Sequence, residues 1–134
     1  MANSPDEVIY GKLNVTAAVR SISSGRIYPG AIPQGTKLPA IVYSQISAPR
    51  IHAMLRDARL SAPLFEVALF STSFTQAKSL SKQVRYALQD YSGTTWGNVQ
   101  RIFMEDETYL ADVDPDSQRI VHHYVQEYII WWSS

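Results

Sequence analysis

The C-terminal segment from Arg119 to Trp132 constrains the fold most, because it is apolar on both faces. Side chains alternate between the two faces of an extended strand. One face carries Ile120, Tyr124, Tyr128, Ile130 and Trp132, and the other carries Val121, Val125, Ile129 and Trp131. An antiparallel sheet with helices on one side normally exposes a polar second face to water. The second face therefore needs a cover, which either the chain's own loop at 25–38 or another protein surface could supply.

Chain length and composition predict one folded domain spanning 1–134. A chain of 134 residues with 46% apolar and 18% charged residues has enough material for one hydrophobic core. It contains no cysteine, which excludes disulfides, thiolate catalysis and cysteine-ligated zinc. The first residues, Met1–Glu7, lack the basic and apolar parts of a secretory signal, so we expect synthesis in the cytoplasm and no membrane partner.

Two helices are predicted. The first begins after an N-cap at Ser4, with proline at its first position, and ends near residue 22. The second begins after the possible N-caps in 71–73 and ends at Ser92-Gly93, where glycine can take a left-handed conformation. Its apolar side chains recur at steps of three and four: Ala77, Leu80, Val84, Ala87, Leu88 and Tyr91. The stretch 25–38 is rich in glycine and proline and is predicted to be a loop.

Four strands are predicted from β-branched and aromatic residues: 40–47, 60–71, 98–104 and 119–132. Pro63 cannot donate a ladder hydrogen bond and is expected at an edge or a bulge. Residues 50–59 are ambiguous, because Ile51, Met54 and Leu55 have helical spacing; we favour an irregular arm. The element order α-β-β-α-β-β predicts an α+β fold with a four-stranded antiparallel sheet and both helices on one face.

Charge is unevenly distributed although the formal net charge is zero. Residues 1–104 hold eleven Lys or Arg against five acids, whereas 105–118, predicted as a loop, hold six acids and no base. A basic body with one acidic segment fits contact between neighbouring protein surfaces better than phosphate binding, which needs clustered bases. A solvated acidic loop is the alternative interpretation.

No motif indicates a catalytic, cofactor or metal site, so we expect no cofactor and no enzyme activity. His122 and His123 are adjacent in a predicted strand and point to opposite faces, so they cannot share an ion. The segment 112–116 resembles the start of a calcium loop, but Ser117 and His123 stand where glycine and glutamate are required. Nucleophile elbows and phosphate-binding loops are absent from the sequence.

Two segments carry a family resemblance. Gly25-Arg26-Ile27-Tyr28-Pro29 is followed by Pro33-Gln34-Gly35 and then by Leu38-Pro39-Ala40-Ile41-Val42-Tyr43. Downstream, Phe65–Ala77 and the spacing of Leu80, Val84-Arg85 and Ala87-Leu88 continue the likeness. The chain resembles the tail-completion proteins of long-tailed bacteriophages, also described as tail-terminator or tail-to-head joining proteins. The stretch 48–59 departs from the family pattern in detail.

The resemblance implies a structural protein of the virion, located at the junction of tail and neck. Members of the family look like α+β rings, commonly of six subunits, at the head-proximal end of the tail tube. Such a ring would stop tube polymerisation and present a surface to the head-completion proteins. The expected partners are further copies of this chain as a homohexamer, the major tail tube protein and a head-completion or neck protein, with DNA only in transit through the lumen.

Charged and aromatic residues are the candidate contacts of such a ring: Arg56, Arg59, Glu105, Asp106, Glu107, Trp131 and Trp132. The three acids are expected either to meet the two arginines of an adjacent copy or to line the channel, where they would repel passing DNA. The alternatives are another neck or minor tail component, or a monomeric α+β domain with a ligand groove at the 25–38 loop.

Overall fold

The computed structural model describes residues 5–33, 35–47, 50–52, 57–113 and 119–133. The described helices are α1 (Pro5–Val15), α2 (Ala17–Ser23) and α3 (Phe74–Leu88). The described strands are β1 (Ile27–Pro29), β2 (Ala40–Ser47), β3 (Arg50–His52), β4 (Asp57–Ser61), β5 (Leu64–Ser71), β6 (Asn98–Val113) and β7 (Ile120–Ser133). The predicted α+β class is confirmed. None of the helices in these ranges has the length and hydropathy needed to cross a bilayer.

The N-terminal helical segment is interrupted, so the prediction of one continuous helix is wrong. α1 begins at Pro5, as expected for proline at a first helical position. Thr16 then takes an extended backbone (φ −82°, ψ 110°) and is the N-cap residue of α2. Its hydroxyl donates to the carbonyl of Lys12 at 2.6 Å. The β-branched pair Val15-Thr16 and this competing side-chain bond favour a break at this point.

Helix α3 begins where its sequence predicts and ends earlier. The Ser73 side chain is the N-cap and accepts a hydrogen bond from the first turn. The helix ends at Leu88 rather than at Gly93, and the residue with left-handed backbone is Asp90 (φ 64°). The Asp90 amide donates to the carbonyl of Ile102 on β6 at 2.9 Å. The chain therefore leaves the helix early because it pairs with the edge of that strand.

The sheet is larger than predicted and mixed. Within the described ranges it has seven strands in the order β1-β2-β5-β7-β4-β3, and β6 pairs with the other edge of β7. β1 runs parallel to β2, with Ile27–Pro29 beside Ile41–Tyr43, whereas every other pairing is antiparallel. The prediction of four strands is corrected: β1 lies inside the expected loop at 25–38, where three residues ending in proline gave no strand signal.

β2 to β5 form one long hairpin that extends beyond the main sheet. The pairing Ser47↔Leu64 continues as Arg50↔Ser61, so β3 and β4 prolong β2 and β5; we call β3 and β4 the arm. The expected irregular arm at 50–59 is thus two paired strands in its described part. Pro63, predicted at an edge or a bulge, instead lies in the break between β4 and β5, and its carbonyl accepts the Ile130 amide at 3.0 Å. The tip of the arm, with Arg56, lies outside the described residues.

The acidic segment is a strand and not a loop. β6 runs from Asn98 to Val113 and pairs with β7 along its length, with register shifts at Val99/Arg101 and Met104/Asp106. The expectation of a loop from residue 105 is wrong because the facing residues of β7 are strong strand formers and impose the ladder on their acidic partners. Asp114 and Asp116 lie outside the described residues.

One face of the sheet holds the core. Fully buried side chains from the sheet, among them Phe65, Tyr128 and Ile130, pack with buried residues of all three helices. The helical members of this core are Val8, Ile9, Leu13, Val19, Leu80, Val84, Ala87 and Leu88. Burying such side chains contributes about 1.5–3 kcal/mol each, so this face stabilises the protomer and the opposite face is left without a helix.

Candidate interaction surface

The far end of the β6–β7 hairpin exposes apolar side chains to solvent. We call residues 107–113 of β6 and 120–124 of β7 the hairpin tip. Nine large apolar side chains are exposed among the described residues, and five of them lie in the tip or beside it. These are Phe74 (44% exposed), Tyr109 (40%), Leu110 (46%), Val113 (59%) and Ile120 (52%). A cluster of this kind is typical of a surface that contacts another protein.

Four rings hold one side of the hairpin tip in a defined arrangement. The centroid of Tyr109 lies 5.5 Å from Phe74, 5.9 Å from His122 and 5.1 Å from Tyr124. The Tyr109 hydroxyl and Nδ1 of His122 share a hydrogen bond. Aromatic pairs at these separations stabilise one another beyond their buried area. The exposed rings are therefore ordered before any partner arrives.

The two adjacent histidines lie on opposite faces, as predicted. His122 contacts Tyr109 on the helix side of the sheet, whereas His123 stacks on Phe70 at 4.8 Å on the other side. Oδ2 of Asp112 lies 3.7 Å from Nδ1 of His123. A search of the described residues finds no group of three or more His, Cys, Asp or Glu that could hold a metal ion.

The three candidate acids, of which only Glu107 belongs to the hairpin tip and the other two precede it, differ in their environments. Glu105 and Asp106 are exposed, and Oδ1 of Asp106 accepts the Glu107 amide at 2.9 Å. Glu107 is half-buried, and its Oε2 accepts Nε2 of Gln126 at 2.6 Å. Two of the acids thus face solvent, whereas Glu107 is hydrogen-bonded within the protomer. Of the two candidate arginines, Arg59 belongs to β4, while Arg56 falls in the undescribed tip of the arm.

A buried polar network lies where the tip meets the rest of the hairpin. Gln126 is fully buried; its Nε2 also donates to the carbonyl of Ser81 on α3 at 2.9 Å. Its Oε1 accepts the hydroxyl of Tyr128 at 2.7 Å. Burial raises the pKa of Tyr128 above its usual range, and the carboxylate of Glu107 acts in the same direction. Sequence analysis missed this network because a single glutamine in a strand gives no signal of its own.

The two terminal tryptophans have different environments. Trp132 is only 7% exposed and belongs to the core beneath the helices. Little of its surface is therefore left for a contact, and its role as a contact residue stays a prediction. Trp131 points to the opposite face and is half-buried. Part of that face is sheltered within the protomer, because Val42 and Ala68 are buried there.

A shallow open cavity of about 360 Å³ lies beside α1. Its lining includes Asp6, Tyr10, Tyr43 and Trp96. A second cavity of about 370 Å³ shares Asp6 and Tyr43 with it and extends to Phe65. Burial, followed by the charge of Asp6, raises the pKa of Tyr43. The two cavities together form a groove beside α1, and its lining is acidic and aromatic.

Comparisons with known proteins agree with the resemblance seen in the sequence. A family model described as tail completion protein gp17 matches residues 7–131. A search of curated proteins finds no match. Among solved structures, the chain is similar to one in the "Virion of native gene transfer agent (GTA) particle", with a TM-score of 0.57 and 16% identity over 92% of this chain and 91% of that chain. That likeness shows a shared fold. Because the family model spans nearly the whole chain, this protein belongs to the tail completion protein gp17 family.

Proposed function

We propose that this chain is a structural component of a phage-type particle and completes the head-proximal end of its tail. The family match over residues 7–131 carries this proposal. The solved chain with the same fold was described in a virion particle, which supports a role in assembly and a location in the particle. The exposed apolar side chains of the hairpin tip support a role in contact with other proteins of the particle.

In its finer form, the proposal is a homohexameric ring that caps the tail tube and stops its polymerisation. The ring also joins the tube protein to a head-completion or neck protein, and DNA passes through its lumen. A ring closes when one patch on a subunit fits a different patch on the next copy. Two unlike patches support this: an acidic, apolar hairpin tip and an arm whose sequence is basic.

The exposed acids Glu105 and Asp106 are proposed to contact an adjacent copy, with Arg56 or Arg59 as partners, or to face the lumen. Glu107 contributes indirectly, because its carboxylate is bonded to Gln126. Trp131 is proposed as a contact on the sheet face that has no helix. A salt titration tests the first alternative: ring assembly that weakens as salt rises supports contact between charged surfaces, and assembly insensitive to salt contradicts it.

Deletion of the gene in the genome that encodes this chain tests the function. We expect filled heads and separate tails, with tails of irregular length, in negative-stain images. Purified protein added to the lysate should restore joined particles. Complete particles of normal length without the protein would contradict the proposal. Tails of normal length that merely fail to join would favour another neck component.

The groove beside α1 favours a second candidate, a monomeric α+β ligand-binding module. Its lining combines the carboxylate of Asp6 with the rings of Tyr10, Tyr43 and Trp96. Light scattering distinguishes the two candidates, because the structural role predicts annular assemblies of several copies. A mass of one protomer, 15.1 kDa, at every concentration would favour the binding module.

A further inference from the structure

The outer edge of β6 consists of two parts, and the first is covered by the chain itself. The segment after α3 runs beside it: the Asp90 amide donates to the carbonyl of Ile102 at 2.9 Å, and the Ile102 amide donates to Tyr91 at 3.0 Å. Val99 exchanges hydrogen bonds with Gly93 in the same way. The Met104 amide donates to the side chain of Gln89 at 2.7 Å. These bonds identify the residues of β6 whose main-chain groups point away from β7.

The second part of this edge, in the hairpin tip, is open. In an antiparallel ladder the main-chain groups of successive pairs alternate between facing the partner strand and facing away from it. Following the register from Met104↔Tyr128, the outward residues are Glu107, Tyr109, Ala111 and Val113. The amide of Glu107 is occupied by Asp106. In the described part of the chain, no strand pairs with the outward groups of the last three residues.

An open edge of this length is unusual unless something covers it. Natural sheets blunt their edges with lysine, proline or a bulge, because unpaired amides and carbonyls recruit further strands. The segment 107–113 contains neither lysine nor proline. Two of its residues, Leu110 and Val113, are exposed and apolar. Strand addition would cover both the main-chain groups and part of this apolar surface.

A second edge, left open by the strands that the structure describes, lies at the opposite side of the sheet. β1 covers β2 only as far as Tyr43, and β3 is the outermost strand of the arm. Ile46, near the end of β2, is 50% exposed. We call Ser44–Ser47 together with β3 the arm edge; Ala48 and Pro49, between its two parts, lie outside the described residues. The arm edge contains Arg50 and no acid, whereas 107–113 of the hairpin tip contains Glu107 and Asp112 and no base, so the two edges are complementary in charge.

We propose that the tip edge of β6 in one copy pairs with the arm edge of the next copy, so that the sheet continues from subunit to subunit. This inference rests on the proposed ring. Two unlike edges form a head-to-tail contact, which is the kind that closes into rings.

The two edges cannot meet within one protomer. Ile51 pairs with Leu60, which pairs with Ser133, whereas Ala111 pairs with His122. Eleven residues of β7 separate the two partner positions, which corresponds to about 36 Å at ~3.3 Å per residue. Any direct link between the two edges therefore joins two molecules.

Cysteine cross-linking tests the pairing directly, because the chain has no cysteine of its own. One protein carries Tyr109→Cys, Ala111→Cys or Val113→Cys, and a co-expressed second protein carries Gln45→Cys or Ile51→Cys. Residues facing each other on paired strands lie about 4.5–5.5 Å apart at Cα, which is within disulfide reach. With copper phenanthroline as oxidant, at least one combination should give a covalent dimer, while each protein alone stays uncross-linked. Dimers from a tip variant alone, or no dimer in any combination, would overturn the proposal.

Proline at position 111 provides the second test. Ala111→Pro removes an outward amide without removing a ladder bond to β7, and the matched control Ala111→Thr keeps that amide. Circular dichroism confirms that each protomer is folded. Light scattering should show rings for the wild type and the control and a loss of rings for Ala111→Pro. Rings that persist in a folded Ala111→Pro protein would overturn the edge pairing and leave the proposed function standing. A wild type that never assembles would instead overturn the ring.

Discussion

The two halves of the β6–β7 hairpin share one ladder and differ in everything around it. In the base, residues 98–104 and 128–132, the side chains of Ile102, Tyr128 and Ile130 are fully buried and the segment after α3 covers the edge. In the tip, the outer edge is open and large apolar side chains face solvent. Strand pairing alone therefore does not decide the role of a segment. The base stabilises the protomer because the same chain covers its edge and buries its side chains. The edge and apolar side chains of the tip are not covered in this way and are left for a partner.

The largest expected contrast comes from deleting one apolar side chain in each half. Ile102→Ala creates a cavity in the core and should lower the free energy of unfolding by about 2–5 kcal/mol. Leu110→Ala removes an exposed side chain and should cost less than ~1 kcal/mol. Urea unfolding, at protein concentrations too low for assembly, measures the loss for each variant. Similar losses from the two variants would show that the tip stabilises the protomer as much as the base does.

The contact between α1 and the segment that leads into β6 gives the next largest effect. A Cβ on Gly11 would clash with the indole ring of Trp96, because it would lie closer than side chains tolerate. Gly11→Ala should therefore cost about 3 kcal/mol, at the upper end of the usual overpacking penalty. Trp96→Ala removes the ring that a Cβ at position 11 would meet. Gly11→Ala should therefore cost less stability in the Trp96→Ala protein than in the wild type. Thermal unfolding of the four proteins gives the coupling energy, and additive losses would contradict the close contact.

The network between the halves should give a somewhat smaller effect. Gln126→Ala leaves the carboxylate of Glu107 and the hydroxyl of Tyr128 without their partner, at a cost of about 2 kcal/mol. Thr108→Ala, an exposed position on β6, is the matched control and should stay within ~0.5 kcal/mol of the wild type. Chemical denaturation at neutral pH compares the two. Equal stability of both variants would mean that the buried amide is dispensable.

The pH dependence of stability gives the smallest and most specific signal. Because burial raises the pKa of Tyr128, the native state keeps this hydroxyl neutral above pH ~10, where the unfolded state ionises. The stability present below that pH is therefore lost as the pH rises, by up to ~1.4 kcal/mol per pH unit for this residue.

Tyr128→Phe tests the assignment of that slope to one side chain. The variant should be less stable at pH 7, because it lacks the hydrogen bond to Gln126, and its stability should fall less steeply above pH ~10. Urea unfolding between pH 7 and 11 gives both quantities. A variant with the same alkaline slope as the wild type would assign the effect to other groups.

Local signals in the sequence predict much of the base and little of the tip. The β-branched run at 40–47 and the cap at Ser73 identify β2 and the start of α3, and alternation along β7 separates Trp131 from Trp132. The same alternation cannot tell which face the helices cover, so it does not predict that Trp132 lies in the core of the protomer. The face is decided by packing between elements distant in sequence.

In the acidic segment, local sequence signals predict the wrong secondary structure. Four acids within 105–113 read as a loop by local propensity, yet the long-range ladder with β7 makes them a strand. The candidate contact surface follows from that ladder, because the open edge and the clustered rings exist only once β6 extends to Val113. Residue composition could predict that this segment contacts a partner, but not that main-chain groups would make the contact.

Amide hydrogen exchange on the assembled and the dissociated protein tests the contrast between the halves most directly. Peptides covering 98–104 should be protected in both states, because the chain itself pairs both edges of β6 there. Peptides covering 108–113 should exchange rapidly in the protomer and become protected on assembly. Exchange in 108–113 that is the same in both states would contradict the claim that a second copy covers the tip.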